Sequence, residues 1–119
     1  MLKVIVAGGR DFNDYELLKE KLLKVLINYD FKDVEIVSGS ARGADSLGER
    51  FAKEFGCNLK MFPAEWEKWG KSAGYRRNAE MAKYGDACVC FWDGKSKGTK
   101  HMIDLATKEG INLRVINYE

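Results

Sequence analysis

Histidine is almost missing from this chain: His101 is the only one among 119 residues. A single imidazole leaves no spacing for a zinc site, which needs about four ligands, and no Ser/His/Asp or Cys/His arrangement for nucleophilic catalysis. No metal and no other cofactor is expected, and His101 is given no catalytic role. Cysteine is nearly as scarce. Cys57, Cys88 and Cys90 are an odd number, against a complete disulfide framework. Cys88 and Cys90 fall in an apolar run where alternate residues share a face, and they read as buried free thiols. No apolar run approaches the roughly 20 residues that cross a bilayer. The opening Leu2–Ala7 is too short and too strand-like for a secretion signal, so a cytoplasmic protein with no membrane partner is expected. Charge of one sign is lacking too: 20 Lys and Arg stand against 18 Asp and Glu, net +2. The molecule as a whole does not advertise nucleic-acid binding, although a local basic cluster can still attract phosphate. Repeats, low-complexity tracts and flexible linkers are absent, and the length fits one domain over residues 1–119.

What is present alternates. Short apolar segments at Val4–Ala7, Val34–Val37, Leu59–Phe62, Ala87–Trp92 and Leu113–Ile116 are separated by stretches long enough for helices. That pattern predicts a parallel sheet. Apolar residues at consecutive positions predict helices on both faces. The expected fold is therefore α/β, a Rossmann-like doubly wound, mainly parallel five-stranded sheet. The spacing of Leu18, Leu22, Val25 and Tyr29 predicts a first helix capped by Asn13 with Glu16. Ala44, Leu47, Phe51 and Phe55 predict a second. Gly56, Gly85 and Gly110 stand where left-handed helix caps are expected. Between Phe62 and Gly74, a connector with the only proline, Pro63, and with Trp66 and Trp69 reads as an ordered loop of functional length.

In an open parallel sheet the ligand crevice lies beyond the carboxyl ends of the strands, where strand order reverses. After the first strand comes Gly8-Gly9-Arg10-Asp11-Phe12, two glycines that admit close backbone approach and an arginine for an anion. After the second comes Ser38-Gly39-Ser40-Ala41-Arg42-Gly43-Ala44-Asp45, leading into a helix. Small residues there free amides for a phosphate, the helix start adds partial positive charge, and Arg42 supplies a charged donor. Asp45 fits the helix dipole without any ligand, and a ribose contact is the alternative. After the fourth strand, Asp93-Gly94-Lys95-Ser96-Lys97-Gly98-Thr99-Lys100 repeats the logic but lacks Walker spacing, which excludes that kind of ATPase. Lys95 and Lys97 read as surface residues; Asp93, Gly98, Thr99 and Lys100 are the ligand candidates. Gly74-Tyr75-Arg76-Arg77-Asn78 opens a helix and offers Arg76, Arg77 and Asn78, while Trp66 or Trp69 would pack the loop or stack on a base.

Together, Gly8-Gly9-Arg10-Asp11-Phe12, Val37 through Asp45, Arg77-Asn78 and Phe91 through His101 resemble the YspA/cpYpsA-related branch of the SLOG superfamily, over almost the whole chain. That branch occurs in bacteria and their phages. The resemblance implies a compact Rossmann-like fold and binding of nucleotide-derived ligands. Two relatives imply competing activities. LONELY GUY-type phosphoribohydrolases cleave the N-glycosidic bond of nucleoside monophosphates and carry Gly-Thr-x-x-Glu at the fourth-strand loop. Here Gly98-Thr99 leads to Met102 where that glutamate would stand, so Asp45 or Asp93 would have to substitute. The DprA/Smf group binds single-stranded DNA and has a segment similar to Val37-Ser38-Gly39-x-Ala41-Arg42-Gly43-x-Asp45. Single-strand binding combines a basic groove with aromatic platforms, and at +2 the expected partner is a small molecule ahead of nucleic acid.

The expectation is a module that senses a nucleotide-derived molecule, or sequesters one if phage-encoded. Gly39, Ser40 and Gly43 would give amides, Arg10, Arg42 and Arg77 would pair with phosphates, and Asp93 and Thr99 would lie near the sugar. A nucleotide N-glycosidase is the second reading and single-stranded DNA binding the third. SLOG relatives commonly form dimers or larger assemblies, so a homo-oligomer is expected.

Overall fold

The computed structural model describes residues 1–118. Its strands are β1 (Leu2–Gly8), β2 (Val34–Ser38), β3 (Asn58–Met61), β4 (Ala87–Trp92) and β5 (Asn112–Asn117). The helices are α1 (Tyr15–Val25), α2 (Ala44–Phe55), the short α3 (Trp66–Trp69), α4 (Ala73–Tyr84) and α5 (Lys97–Glu109). All neighbouring strands pair in parallel, in the order β3-β2-β1-β4-β5. Every apolar segment expected to be a strand is one. The fold is Rossmann-like, with β1 at the centre, β2 and β4 on either side of it, and β3 and β5 at the edges.

Burial explains the consecutive apolar positions. On β1, Val4, Ile5, Val6 and Ala7 are all buried. Val4 and Val6 point toward α1 and α2, where they meet Leu18, Leu22 and Phe51. Ile5 and Ala7 point the other way, into a cluster with Met81, Met102 and Ala106 from α4 and α5. A side-chain period of 2 with both faces covered leaves no place for a polar residue between Val4 and Ala7. Cys88 and Cys90 are likewise fully buried on one face of β4, their sulfurs 3.4 Å apart, and Cys57 is half-buried. All three thiols are free. No helix among the described residues is long and apolar enough to cross a membrane.

Four local expectations are corrected. The cap of α1 is Asp14, whose side chain accepts from the Leu17 amide at 3.1 Å, not Asn13. The helix ends at Val25, so Tyr29 lies beyond it and is exposed. Gly56 and Gly110 do take left-handed cap conformations, but Gly85 is extended. Its small size is required for another reason: a Cβ would come within 2.7 Å of the Ile5 side chain. The connector after β3 is not merely a loop, since it holds α3 and a 3-10 turn at Gly70–Ser72.

Candidate functional site

Strand order reverses between β1 and β4, and the loops that follow them diverge to open a crevice of about 440 Å³. One wall comes from the β1 loop, with Gly8, Gly9, Arg10 and Asp11, from Ala41 of the loop after β2 and from Asp45 at the start of α2. The opposite wall is Asp93, Ser96, Gly98 and Thr99, while Arg77, Asn78 and Met81 of α4 close the side.

The first two loops are interlocked through their backbones. The Gly9 amide donates to the Phe91 carbonyl at 3.1 Å, and the Gly9 carbonyl accepts from the Ala44 amide at 3.2 Å. Gly43 sits at φ +77 directly against this contact, where a Cβ would overlap the Gly9 carbonyl and lie 2.7 Å from the Arg10 carbonyl carbon. At Gly8 a Cβ would overlap the Phe91 carbonyl and meet the Ala44 side chain at 2.8 Å. Asp11, on the rim, accepts from the Tyr118 hydroxyl at 2.8 Å. The same tyrosine packs on Phe12, with ring centroids 4.7 Å apart.

In the second loop, Ser38 is fully buried and its hydroxyl is directed inward. It donates to Glu49 at 2.7 Å and accepts from the Ser40 amide at 3.1 Å. Ser40 is the one residue other than glycine with positive φ among the described residues, +63. Asp45 is only 5% exposed and accepts from the Ala41 amide at 3.2 Å. Burial pushes its carboxyl up to about 6, against the opposing pull of the Ala41 amide and the Arg77 charge. Arg77 crosses from α4 to donate to the Gly39 carbonyl, and its Nε donates to Asn78 Oδ1 at 2.9 Å. Burial lowers the Arg77 guanidinium from its ordinary value, partly offset by Asp45. Asn78 Nδ2 in turn reaches the Gly98 carbonyl at 3.4 Å and lies 3.3 Å from His101 Nδ1. One chain of polar contacts thus links the second loop through α4 to the start of α5.

The fourth-strand loop is held differently. Both the Lys95 and Ser96 amides donate to the Asp93 carboxylate at 2.8 Å, which lowers its pKa. Ser96 caps α5, taking the Thr99 amide at 3.4 Å and lying 3.2 Å from the Thr99 hydroxyl. Gly98, Thr99 and Lys100 therefore belong to the first turn of α5 rather than to a loop.

Of the residues singled out in the sequence, Gly8, Gly9, Arg10, Asp45, Arg77, Asn78, Asp93, Gly98 and Thr99 share the crevice. Gly39, Ser40, Arg42 and Trp66 line an adjoining cleft of about 540 Å³. Ser38 and Gly43 are held within the loop packing. Lys100 pairs with Asp104 at 2.7 Å on the surface. Arg76 covers the exposed Trp69, its guanidinium 3.8 Å from the ring centroid, and neither lines the crevice. Asp11, Ser96 and Met102 also line it and carry more of the site than their sequence positions suggest. Ser96 was discoverable as a serine just before a helix; Asp11 depends on a tyrosine 107 residues away. Met102, 1% exposed, puts an apolar side chain where the phosphoribohydrolase motif would place its glutamate. Among the described residues no group of three or more His, Cys, Asp or Glu side chains converges to hold a metal.

Comparison with known proteins agrees with the fold. Residues 2–69 match the YspA, cpYpsA-related SLOG family. Over 124 aligned residues the chain is 37% identical to the Gene 61 protein of Mycobacterium phage D29, covering 99% of this chain and 97% of that protein. The fold is similar to that of DNA processing protein A (DprA) from Streptococcus pneumoniae, solved by X-ray, with a TM-score of 0.72 at 18% identity. That likeness takes in the whole of this chain and 51% of DprA, so this chain spans about half the length of that structure and shares its fold.

Proposed function

The chain belongs to the YspA, cpYpsA-related SLOG family, a nucleotide-related Rossmann-like group, and from that premise we propose that its switch-point crevice binds a nucleotide or nucleotide-derived small molecule. The observation that carries this reading is the convergence of Arg10 and Arg77, from separate elements, on a crevice whose far wall is the first turn of α5. Two guanidinium groups and a helix start are an arrangement suited to phosphate oxygens. In this reading Thr99, on the first turn of α5, would lie near the sugar. Asp93, with its carboxylate already accepting two amides, shapes the loop and is less available to ligand. Arg42 and the Ser40 backbone extend the cationic wall into the adjoining cleft. In this reading the protein senses or sequesters its ligand.

Native mass spectrometry with a panel of nucleotides tests it, with the small molecules analysed after release. A bound nucleotide recovered intact supports a binding module; the absence of any bound nucleotide sinks it.

One observation favours a second reading, a nucleotide N-glycosidase. Asp45 is a nearly buried crevice carboxyl raised to about 6, in the range where a group both gives and takes protons near neutrality. Met102 weighs against it by removing the carboxylate expected three residues after Thr99. Free base appearing in the released ligand, and its loss in Asp45→Asn, would establish hydrolysis.

A further inference from the structure

The crevice does not end at Arg10 and Arg77. Both residues, with Ala41, also line the cleft of about 540 Å³ that runs along the carboxyl ends of β2 and β3. The two cavities are side by side beyond the carboxyl end of the sheet, and each alone has the size of a small-molecule site. Their linings differ in chemistry. The crevice offers Asn78, Thr99 and Asp45, a set suited to hydroxyl groups. The adjoining cleft offers Pro63, Ala64 and the indole of Trp66.

Trp66 is 52% exposed, an unusual position for so large an apolar ring. It is nonetheless steadied by the chain, since its edge comes against Gly74 at the start of α4, where a Cβ would stand 3.5 Å away. A third cavity of about 210 Å³ touches the same indole and adds Lys71 beside Arg10 and Arg77. Arg10 and Arg77 line all three cavities and so mark their junction, Arg42 adds a cation to the adjoining cleft and Lys71 to the third cavity, while Asp11, Asp45 and Asp93 line only the crevice.

Resting on the nucleotide-binding reading above, we infer that the site takes two nucleoside units joined by a diphosphate bridge, not a mononucleotide: the bridge at Arg10 and Arg77, one nucleoside in the crevice, the other base stacked on Trp66. Cations at the junction match the anionic bridge, and an aromatic platform on one side with hydroxyl-seeking groups on the other match its two ends.

Isothermal titration of the purified protein with AMP and diadenosine diphosphate, and with their guanine counterparts, decides the matter. The dinucleotide is expected to bind at least tenfold more tightly than its mononucleotide. In Trp66→Ala, an exposed position whose loss is checked by thermal melting, that ratio is expected to fall to within about threefold. Equal affinities for the two probes would overturn the two-nucleoside inference while leaving nucleotide binding intact. A tenfold ratio that survives Trp66→Ala would remove the stacking subsite. Failure of all four probes to bind would bring down both readings together.

Discussion

The glycines of the first two loops and those of the fourth-strand loop look alike in sequence, yet they are there for different reasons. Gly8, Gly9, Gly39 and Gly43 stand where a Cβ would press on another part of the chain: Phe91, Tyr118, Arg77 and Gly9, respectively. Around Gly94 and Gly98 a Cβ would meet nothing within 4 Å. The β1 and β2 loops are glycine-rich because they are closely packed, Gly43 against the backbone of the β1 loop, Gly8 against Phe91 and Ala44, and Gly9 and Gly39 against the Tyr118 and Arg77 side chains. The β4 loop is open, and at Gly98 the space faces the crevice. A glycine-rich loop after a strand is thus one pattern with two physical origins, close packing against the chain in one case and open space in the other.

The largest effect is expected where the interlock is tightest. Gly43→Ala must take a residue with a Cβ to φ +77 and drive it into the Gly9 carbonyl. Strain and overpacking each contribute roughly 1–3 kcal/mol. A loss of about 3 kcal/mol or more in denaturant unfolding is expected, and a variant of unchanged stability would refute the interlock. Next comes Asp45, buried at the foot of the same loop. Its folded-state pKa of about 6 lies above the ordinary carboxyl value of 3.8, so ionisation opposes folding. The group imposes no penalty below about pH 4, where it is protonated in both states, and the full penalty above about pH 6. At 1.36 kcal/mol per unit this amounts to about 3 kcal/mol. Asp45→Asn is expected to gain about 1–3 kcal/mol over the parent at pH 8 and to lose that advantage at pH 4. A gap that does not change between the two pH values would show that burial is not what sets this carboxyl.

How much of this was legible beforehand follows the same division. The five strands were readable because burial on both faces forces consecutive apolar residues, which leave an unmistakable run. The crevice could be placed because chain segments after strands converge at one end of any parallel sheet. What the sequence concealed was the partner of each polar group. Ser38 reads as a ligand hydroxyl, but its O–H donates to Glu49 inside the protein. Arg76 and Arg77 are neighbours, but successive helix positions point about 100° apart. One covers Trp69 while the other reaches Gly39, 38 residues away. Gly85 reads as a left-handed cap because the pressure that excludes a side chain there comes from Ile5, on another strand. Element type is written in local periodicity; the direction of a hydroxyl or guanidinium is set by residues far along the chain.

A smaller effect separates binding from folding on the cationic wall. Arg42 is exposed and lines the cleft, whereas Arg77 is half-buried and ties α4 to the second loop. Arg42→Ala is expected to weaken AMP or dinucleotide binding by roughly 1–3 kcal/mol, the scale of a charge-assisted hydrogen bond, with stability unchanged within about 0.5 kcal/mol. Titration calorimetry and thermal melting on the same sample measure both. A folded variant with unaltered affinity would remove Arg42 from the site.

The smallest change is also the sharpest comparison. Among the glycines proposed for the site, Gly98 alone has neither a close neighbour nor a positive φ, so nothing in the fold demands it. It occupies the second position of α5, after the Ser96 cap and Lys97. Alanine there adopts the same backbone with less freedom in the unfolded chain, and the expected gain is about 0.4–1 kcal/mol. A ligand resting on this turn would meet the added methyl group, so affinity is expected to fall as stability rises. Gly43→Ala would lose both together, because its methyl breaks the loops before any ligand arrives. If Gly98→Ala is stabilised and binds as tightly as the parent, the open space at this turn is not where the ligand sits, and the crevice reading loses its far wall.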